Sequence, residues 1–389
     1  MSTHDRALMP DYLRLIALFG IVIVNVQYIA FPALGDFAEP LGETTADSVA
    51  LWLVNGLALL KTYGLFSFMF GVGLGFLMRS AARRDLPFGP LYRNRMIGLL
   101  LLGLAHGCLF YPGDILVIYA VTGSILYVLR DWTVRHLVQV GVGLLVLQTV
   151  VGTPLFLAPS STPADVIELE RLINTGGSFL DALTFRSIGF ALFLPVFLIA
   201  QGISALGWFC LGLAAVKSGM IDNAAHPLWQ RARRVCLLPG VLLGLLGAAL
   251  WQWGPGGFGS WGGFNGAGTL GAALVIIAAP IATFGYLGVI AALARPPGPI
   301  LGRVLAAGGS SLSIYLGQSI ILTTIFSGYG LGLWDEVDRV AATAIAVLVT
   351  IALIATLSVW RIWFKTGPFE WVLRHVTYAG VNRQASKST

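Results

Sequence analysis

The sequence predicts an all-α fold, a polytopic membrane bundle of about ten transmembrane helices forming one integral membrane domain over residues 1–389. Three observations predict it. Of the 389 residues 57% are hydrophobic and only 11% are charged, against about 25% charged in a soluble globular chain. Apolar stretches approaching the ~20 residues needed to cross about 30 Å of hydrocarbon recur from end to end. The connections between them alternate in charge. A soluble enzyme is excluded, and the bilayer is the solvent in which this chain folds.

The ten candidate spans run roughly over 11–31, 57–78, 96–110, 114–130, 133–157, 188–216, 235–253, 268–294, 305–327 and 340–364. The first is read as a permanent helix, because Asp5, Arg6, Asp11 and Arg14 mix charges ahead of it and no small-x-small cleavage site follows. The third is short and is closed by Tyr111-Pro112-Gly113, so the chain turns back before Asp114 opens the fourth. Between the fifth and sixth, the polar stretch over 158–187 is expected to be an interfacial helix or a lid over an outer-facing cavity. After the seventh, the run Gly254 to Gly268 lacks the Lys of a phosphate loop and, with Trp251 and Trp253, reads as an interfacial loop. Residues 366–389 form a short cytoplasmic tail. The 48 glycines, as in Gly71-Val72-Gly73-Leu74-Gly75, are read as close helix packing in lipid. No internal repeat was found, which weakens an inverted-repeat transporter.

The formal charge of +6 would suit nucleic acid, but its distribution points elsewhere. All but four of the 24 Lys and Arg fall on alternate connections, including Arg14, Arg79, Arg83, Arg95, Arg130, Lys217, Arg233, Arg303 and Arg361. The intervening connections keep only Lys61, Arg171, Arg186 and Arg339 and hold acids such as Asp36, Glu43, Asp47, Asp165, Glu168 and Asp335. By the positive-inside rule both termini are expected in the cytoplasm, and no nucleic-acid partner is expected. Cys108, Cys210 and Cys236 are far apart and set in apolar runs, so they read as small buried hydrophobes. No HExxH, carboxylate cluster or His/Cys cluster occurs, so no catalytic metal is expected.

Polar groups inside spans are costly and mark candidate sites. Asn25 lies eleven residues after Arg14, and His106 eleven after Arg95, each about 16 Å along a helix from its cytoplasmic Arg and near the bilayer midplane. Asp114, just after the tight reversal, is placed to orient the His106 imidazole as a general base. The plainer alternatives are a core histidine bonded to a carbonyl for His106 and a helix-to-helix hydrogen bond for Asn25. Lys61 falls near the outer boundary, where it either binds a ligand or snorkels to the interface. Arg14 is a cytoplasmic anchor or a phosphate ligand. Arg186 opens the sixth span, Gln201 and Gln318 need partners at depth, and Ser313 and Tyr315 are able to bond back to the backbone.

RLIALFGIVIVN at 14–25, KTYGLFSFMFGVGLGF at 61–76, GLAHGCLFYPGDILVIYAVTG at 103–123, SLSIYLGQSII at 311–321 and GPFEWVLR at 367–374 resemble the YeiB family of polytopic bacterial inner-membrane proteins, in family order. One departure is Leu15, where the family usually has Gly. The Arg-to-Asn spacing of the first helix is similar to that of heparan-alpha-glucosaminide N-acetyltransferase relatives, and a related Arg-to-His spacing occurs in bacterial transmembrane O-acyltransferases. That resemblance implies an acyl group taken from a cytoplasmic coenzyme A thioester and placed on an acceptor across the membrane. It matches Arg14 to the Arg at the cytoplasmic mouth and Asn25 to the Asn beside the acyl group. Where the acetyltransferase has its catalytic His, eleven residues beyond the Asn, this chain has Asp36, so His106 would serve as the base.

The expected function is therefore a transmembrane acyltransferase of the bacterial inner membrane, with His106, Asp114 and Asn25 catalytic and Arg14, Lys61, Arg186 and Gln318 binding substrate. No cofactor is held permanently, and acyl-CoA is the donor substrate. The expected partners are membrane lipids and a small-molecule or lipid-linked acceptor, with a homodimer allowed. The alternatives are a transporter or a binder of lipids or small anions without covalent chemistry, and a subunit whose polar residues only lock helices together.

Overall fold

The computed structural model describes residues 8–32, 44–156, 163–254 and 266–381. Asp36, the interior of the Gly-rich run, residues 158–162 of the lid segment and the end of the tail lie outside them. The described residues form helices without strands: α1 (Met9–Ile29), α2 (Thr45–Leu53), α3 (Lys61–Arg83), α4 (Phe88–Leu109), α5 (Leu116–Leu129), α6 (Val134–Phe156), α7 (Ala164–Gly176), α8 (Phe179–Ala200), α9 (Gly202–Lys217), α10 (Pro227–Trp253), α11 (Ala267–Leu293), α12 (Pro299–Gly308), α13 (Ser311–Phe326), α14 (Arg339–Trp363) and α15 (Pro368–Tyr378). This is an all-α membrane bundle.

Local chemistry sets many of the ends. Thr44 with Asp47, and Ser178 with Asp181, make reciprocal capping boxes that start α2 and α8. Asp338 accepts from the Ala341 amide at 2.6 Å to start α14, and Pro stands in the first turn of α10, α12 and α15.

All ten predicted stretches are helical, but the count of ten crossings is not sustained. Among the described residues, seven helical segments are long and apolar enough to cross a membrane, or eight if the bent pair α12 and α13 is one span. The difference lies in the third, fourth and ninth stretches, while the second and sixth each keep one helical span in spite of an interruption. The second stretch, 57–78, starts in a π-helical turn at Val54–Ala58 that follows α2 and continues as α3, with Leu60 in the left-handed region at φ 63°. The sixth is divided at Gln201 into α8 and α9. The ninth bends by 76° between α12 and α13. Two further helices, Leu116–Leu129 and Gly202–Lys217, are apolar but short, and α4 carries Arg93 and Arg95 in its first half.

The core forms around α9, which packs on α3, α5 and α6. Phe209 of α9 stacks on Phe70 at 4.4 Å and meets Tyr119 edge-on at 5.1 Å. This crossing needs glycine: a Cβ on Gly71 would lie 2.1 Å from the Phe209 carbonyl oxygen. Cys210 is buried in the same layer, whereas Cys108 and Cys236 are only half-buried, and all three are free thiols. The amphipathic α15 lies against α4 and α13. Its Glu370 accepts from the Leu312 and Ser313 amides at 2.6 and 3.1 Å and from Ser313 Oγ at 2.5 Å, capping α13 from outside.

Candidate active site

Helix α4 ends on the His106 turn, and the Tyr111-Pro112-Gly113 reversal brings Asp114 back beside it. His106 Nδ1 and Asp114 Oδ1 are 2.8 Å apart, with His106 3% and Asp114 1% exposed. An ionised carboxylate only accepts, so Nδ1 carries the proton that is donated to Asp114, and in the neutral imidazole Nε2 keeps its lone pair. That Nε2 is buried and has no hydrogen-bond partner.

Asp114 is held in turn from three directions. Its Oδ2 accepts from the Leu116 and Val117 amides at 2.8 and 3.1 Å, so the same carboxylate caps the start of α5. The Tyr315 hydroxyl donates to Oδ1 at 3.4 Å and accepts from the Ile115 amide at 3.4 Å. Tyr315 is buried with its ring 5.3 Å from that of His106. The expectation that Tyr315 bonds back to its own backbone is thus corrected: the α13 register points it across the bundle into the His106 pair. Ser313 likewise bonds Glu370 of α15.

Asn25 is half-buried on α1, and its Oδ1 accepts from the Tyr111 hydroxyl at 3.4 Å. No hydrogen bond joins Asn25 to His106 among the described residues; Tyr111, in the reversal between His106 and Asp114, is the link. Arg186 lies within α8, not at its start, and is buried. Its Nη1 donates to the Leu109 carbonyl and the Tyr329 hydroxyl, both at 3.2 Å, and its Nη2 to Ser327 Oγ at 2.7 Å. It therefore clamps the last carbonyl of the His106 helix to the residues that follow α13.

The other expected residues stand elsewhere. Arg14 pairs with Asp11 at 3.1 Å, one turn away on α1. Gln318 donates to Thr350 Oγ1 at 2.8 Å and to the Leu18 carbonyl at 3.3 Å, which ties α13 to α14 and α1. Gln201 stands at the α8–α9 break, where its carbonyl accepts from the Tyr63 hydroxyl at 3.2 Å. Lys61 does not snorkel: it is 0% exposed, and Nζ donates to the Asn55 carbonyl at 3.0 Å.

Sequence reasoning assigned Tyr315 and Tyr111 no part in the His106 site and did not point to the Asp47 cluster. Asp47 Oδ1 accepts from the Arg339 amide at 2.9 Å, and the Arg339 guanidinium donates to Gln27 Oε1 at 3.1 Å. The Thr44-x-x-Asp47 capping pattern was a readable signal for the start of α2, but not for the contact with Arg339. Among the described residues no group of three His, Cys, Asp or Glu is arranged to hold a metal.

A membrane helical bundle with a buried His–Asp–Tyr cluster is the class of protein these features define. Residues 215–380 match the family described as "Protein of unknown function (DUF418)". The chain is 27% identical over 414 residues to Uncharacterized protein YxaH of Bacillus subtilis (strain 168), covering 99% of this chain and 98% of that protein. It is 27% identical over 406 residues to Uncharacterized protein YeiB of Escherichia coli (strain K12), covering 99% and 100%. The DUF418 match and these end-to-end relatives support a YeiB-family protein. No solved structure matches.

Proposed function

We propose that the chain is an acyltransferase of the bacterial inner membrane, with both termini in the cytoplasm, that moves an acyl group from acyl-CoA to an extracytoplasmic or lipid-linked acceptor. One observation carries the reading: an imidazole is held at Nδ1 by a capped carboxylate while its Nε2 stands buried and unpartnered. In the proposed reaction Nε2 takes the proton from the acceptor hydroxyl or amine as that group attacks the thioester carbonyl. The carbon–sulfur bond breaks, and the departing thiolate takes the proton back from the imidazolium. Asp114 is the positioning residue that fixes the tautomer and stabilises the transient imidazolium. Asn25, with Oδ1 occupied by Tyr111, offers Nδ2 to the acyl carbonyl. Arg14 and the Arg-rich cytoplasmic connections suit an anionic nucleotide donor.

The experiment is binding and turnover of acetyl and longer acyl-CoA thioesters by purified protein in detergent, with His106→Ala and Asn25→Ala beside the wild type. Saturable binding with thiol release that His106→Ala lacks supports the reading. Absence of binding across the series, or wild-type turnover in His106→Ala, ends it. A second reading, a carrier without covalent chemistry, draws on the interrupted spans at Val54–Leu60 and at Gly309–Ser310, since broken helices line binding sites in transporters. It predicts saturable uptake into proteoliposomes with no product formed.

A further inference from the structure

The break between α2 and α3 has an unbalanced inventory of hydrogen-bonding groups. Interrupting a helix in a membrane frees carbonyls that must be satisfied nearby. Here they are: Tyr286 donates to the Leu57 carbonyl at 2.9 Å, Thr62 to the Ala58 carbonyl at 3.1 Å, Thr283 to the Lys61 carbonyl at 3.1 Å, and Lys61 Nζ to the Asn55 carbonyl at 3.0 Å. The donors are in excess. Lys61 Nζ has three hydrogens and one partner, and no carboxylate pairs with it among the described residues. Asn55, itself 6% exposed, has its Nδ2 buried with no partner. The groups that α10 and α11 bring to the break, Gly244, Leu245, Thr283 and Tyr286, are uncharged.

Charging a buried lysine amine with no counter-charge beside it is costly, and so is burying an amide donor with no acceptor. One ligand, a small anion, removes both costs. The turn and α10 are closely packed around these groups: a Cβ at Gly56 would lie 2.8 Å from Leu245, and one at Gly244 2.5 Å from the Gly56 carbonyl oxygen and 3.5 Å from Lys61 Cε. Tight walls select a dehydrated monovalent ion over a phosphate or a nucleotide. We infer that Lys61 and Asn55, at the interruption between α2 and α3, form a binding site for a small monovalent anion. The site is separate from the His106 pair and does not depend on the acyl-transfer reading.

The test uses the purified full-length protein in detergent, with sodium chloride exchanged for sodium gluconate at constant ionic strength. Radiolabelled chloride binding is followed by equilibrium dialysis and thermal unfolding in parallel. Wild type and His106→Ala are expected to bind chloride saturably, with a matching rise in Tm. Lys61→Met is expected to abolish both responses, and Asn55→Ala to weaken chloride by about tenfold or more, the loss of one charge-assisted hydrogen bond. Chloride-independent Tm with no bound label in the wild type overturns the inference, as does undiminished binding in Lys61→Met. If Lys61→Met does not yield monodisperse protein, unchanged affinity in Asn55→Ala overturns it.

Discussion

Asp114→Asn separates what the carboxylate does for the fold from what it does for the imidazole. The two Asp114 oxygens face different partners: Oδ2 caps α5 through the Leu116 and Val117 amides, and Oδ1 accepts from His106 Nδ1. An asparagine has one acceptor and one donor to divide between them. Two backbone amides demand the acceptor, so the amide oxygen stays on α5 and the NH2 turns to His106. Nδ1 must then accept, and the imidazole proton moves to Nε2. The cap is retained and only the long Tyr315 contact to Oδ1 is lost, so the expected stability loss is within about 1 kcal/mol. Asp114→Ala removes the cap, at about 0.5–2 kcal/mol. It also strands a buried Nδ1–H, at about 1–3 kcal/mol. It should therefore cost roughly 1.5–5 kcal/mol together, visible as a lower Tm. The assay is the nitrogen NMR spectrum of protein labelled only at histidine, in which the two tautomers differ in which ring nitrogen is protonated. Nε2–H at His106 in Asp114→Asn, with Nδ1–H in the wild type, is expected, and acyl transfer should fall by about 100-fold or more, the share a positioned base supplies. An unchanged tautomer in a folded Asp114→Asn protein refutes the geometry on which the base assignment stands.

Four other outcomes follow from the same contacts. Arg186→Lys keeps the charge but not the fork that reaches Leu109, Tyr329 and Ser327, and should lower stability by about 1.5–3 kcal/mol in thermal unfolding. Gln318→Leu, which loses the bonds to Thr350 and Leu18, should cost about 1–2 kcal/mol and leave donor affinity unchanged; a selective loss of affinity would restore Gln318 to the binding site. The Glu370 carboxyl is raised above its ordinary value by burial, against the hydrogen bonds from Ser313 and Leu312. The folded state thus holds this proton more tightly than the unfolded state, and stability falls as pH rises from the ordinary carboxylate value to the raised one; the difference in Tm between wild type and Glu370→Gln across that interval should show this slope. Gly73→Ala meets nothing within 4 Å and should be neutral or stabilising by up to about 1 kcal/mol, whereas Gly71→Ala, at the Phe209 carbonyl, should prevent the core from closing, both read from yield and Tm.

The helices were legible in the sequence because apolar length is a strong signal in a membrane chain. The interruptions were not. Leu59 and Leu60 are as apolar as their surroundings, and the break they make is stabilised by Thr283 and Tyr286, more than 200 residues away. The bend before α13 is likewise supported from a distance, by Glu370. Within the site, the His106–Asp114 pair was readable because eight residues and a Pro-Gly reversal separate the two groups. Tyr315 was not, since it stands 201 positions beyond Asp114 and nothing in a serine-rich helix start signals which way its ring points. For Lys61 the snorkelling alternative fails for a related reason: helix rise gives depth along the normal, but snorkelling depends on what packs around the stem, and here α10 packs against it.

The glycines flanking His106 show how packing and site are joined. Gly103 and Gly107 lie three residues before it and one after, four apart on α4. A Cβ on Gly103 would sit 2.8 Å from Asp114 Oδ2 and 2.7 Å from the Val117 amide, and one on Gly107 2.6 Å from the Phe190 ring. The first absence lets α5 come close enough for its capping carboxylate to reach His106, and the second lets α8 close over the same turn, where Arg186 ties down the Leu109 carbonyl. A bundle held by small residues has little slack at such crossings. The short distance between Nδ1 and Oδ1 is therefore a consequence of helix packing on both sides of the histidine and of the Tyr315 contact, so the orientation of the imidazole is set before any ligand arrives.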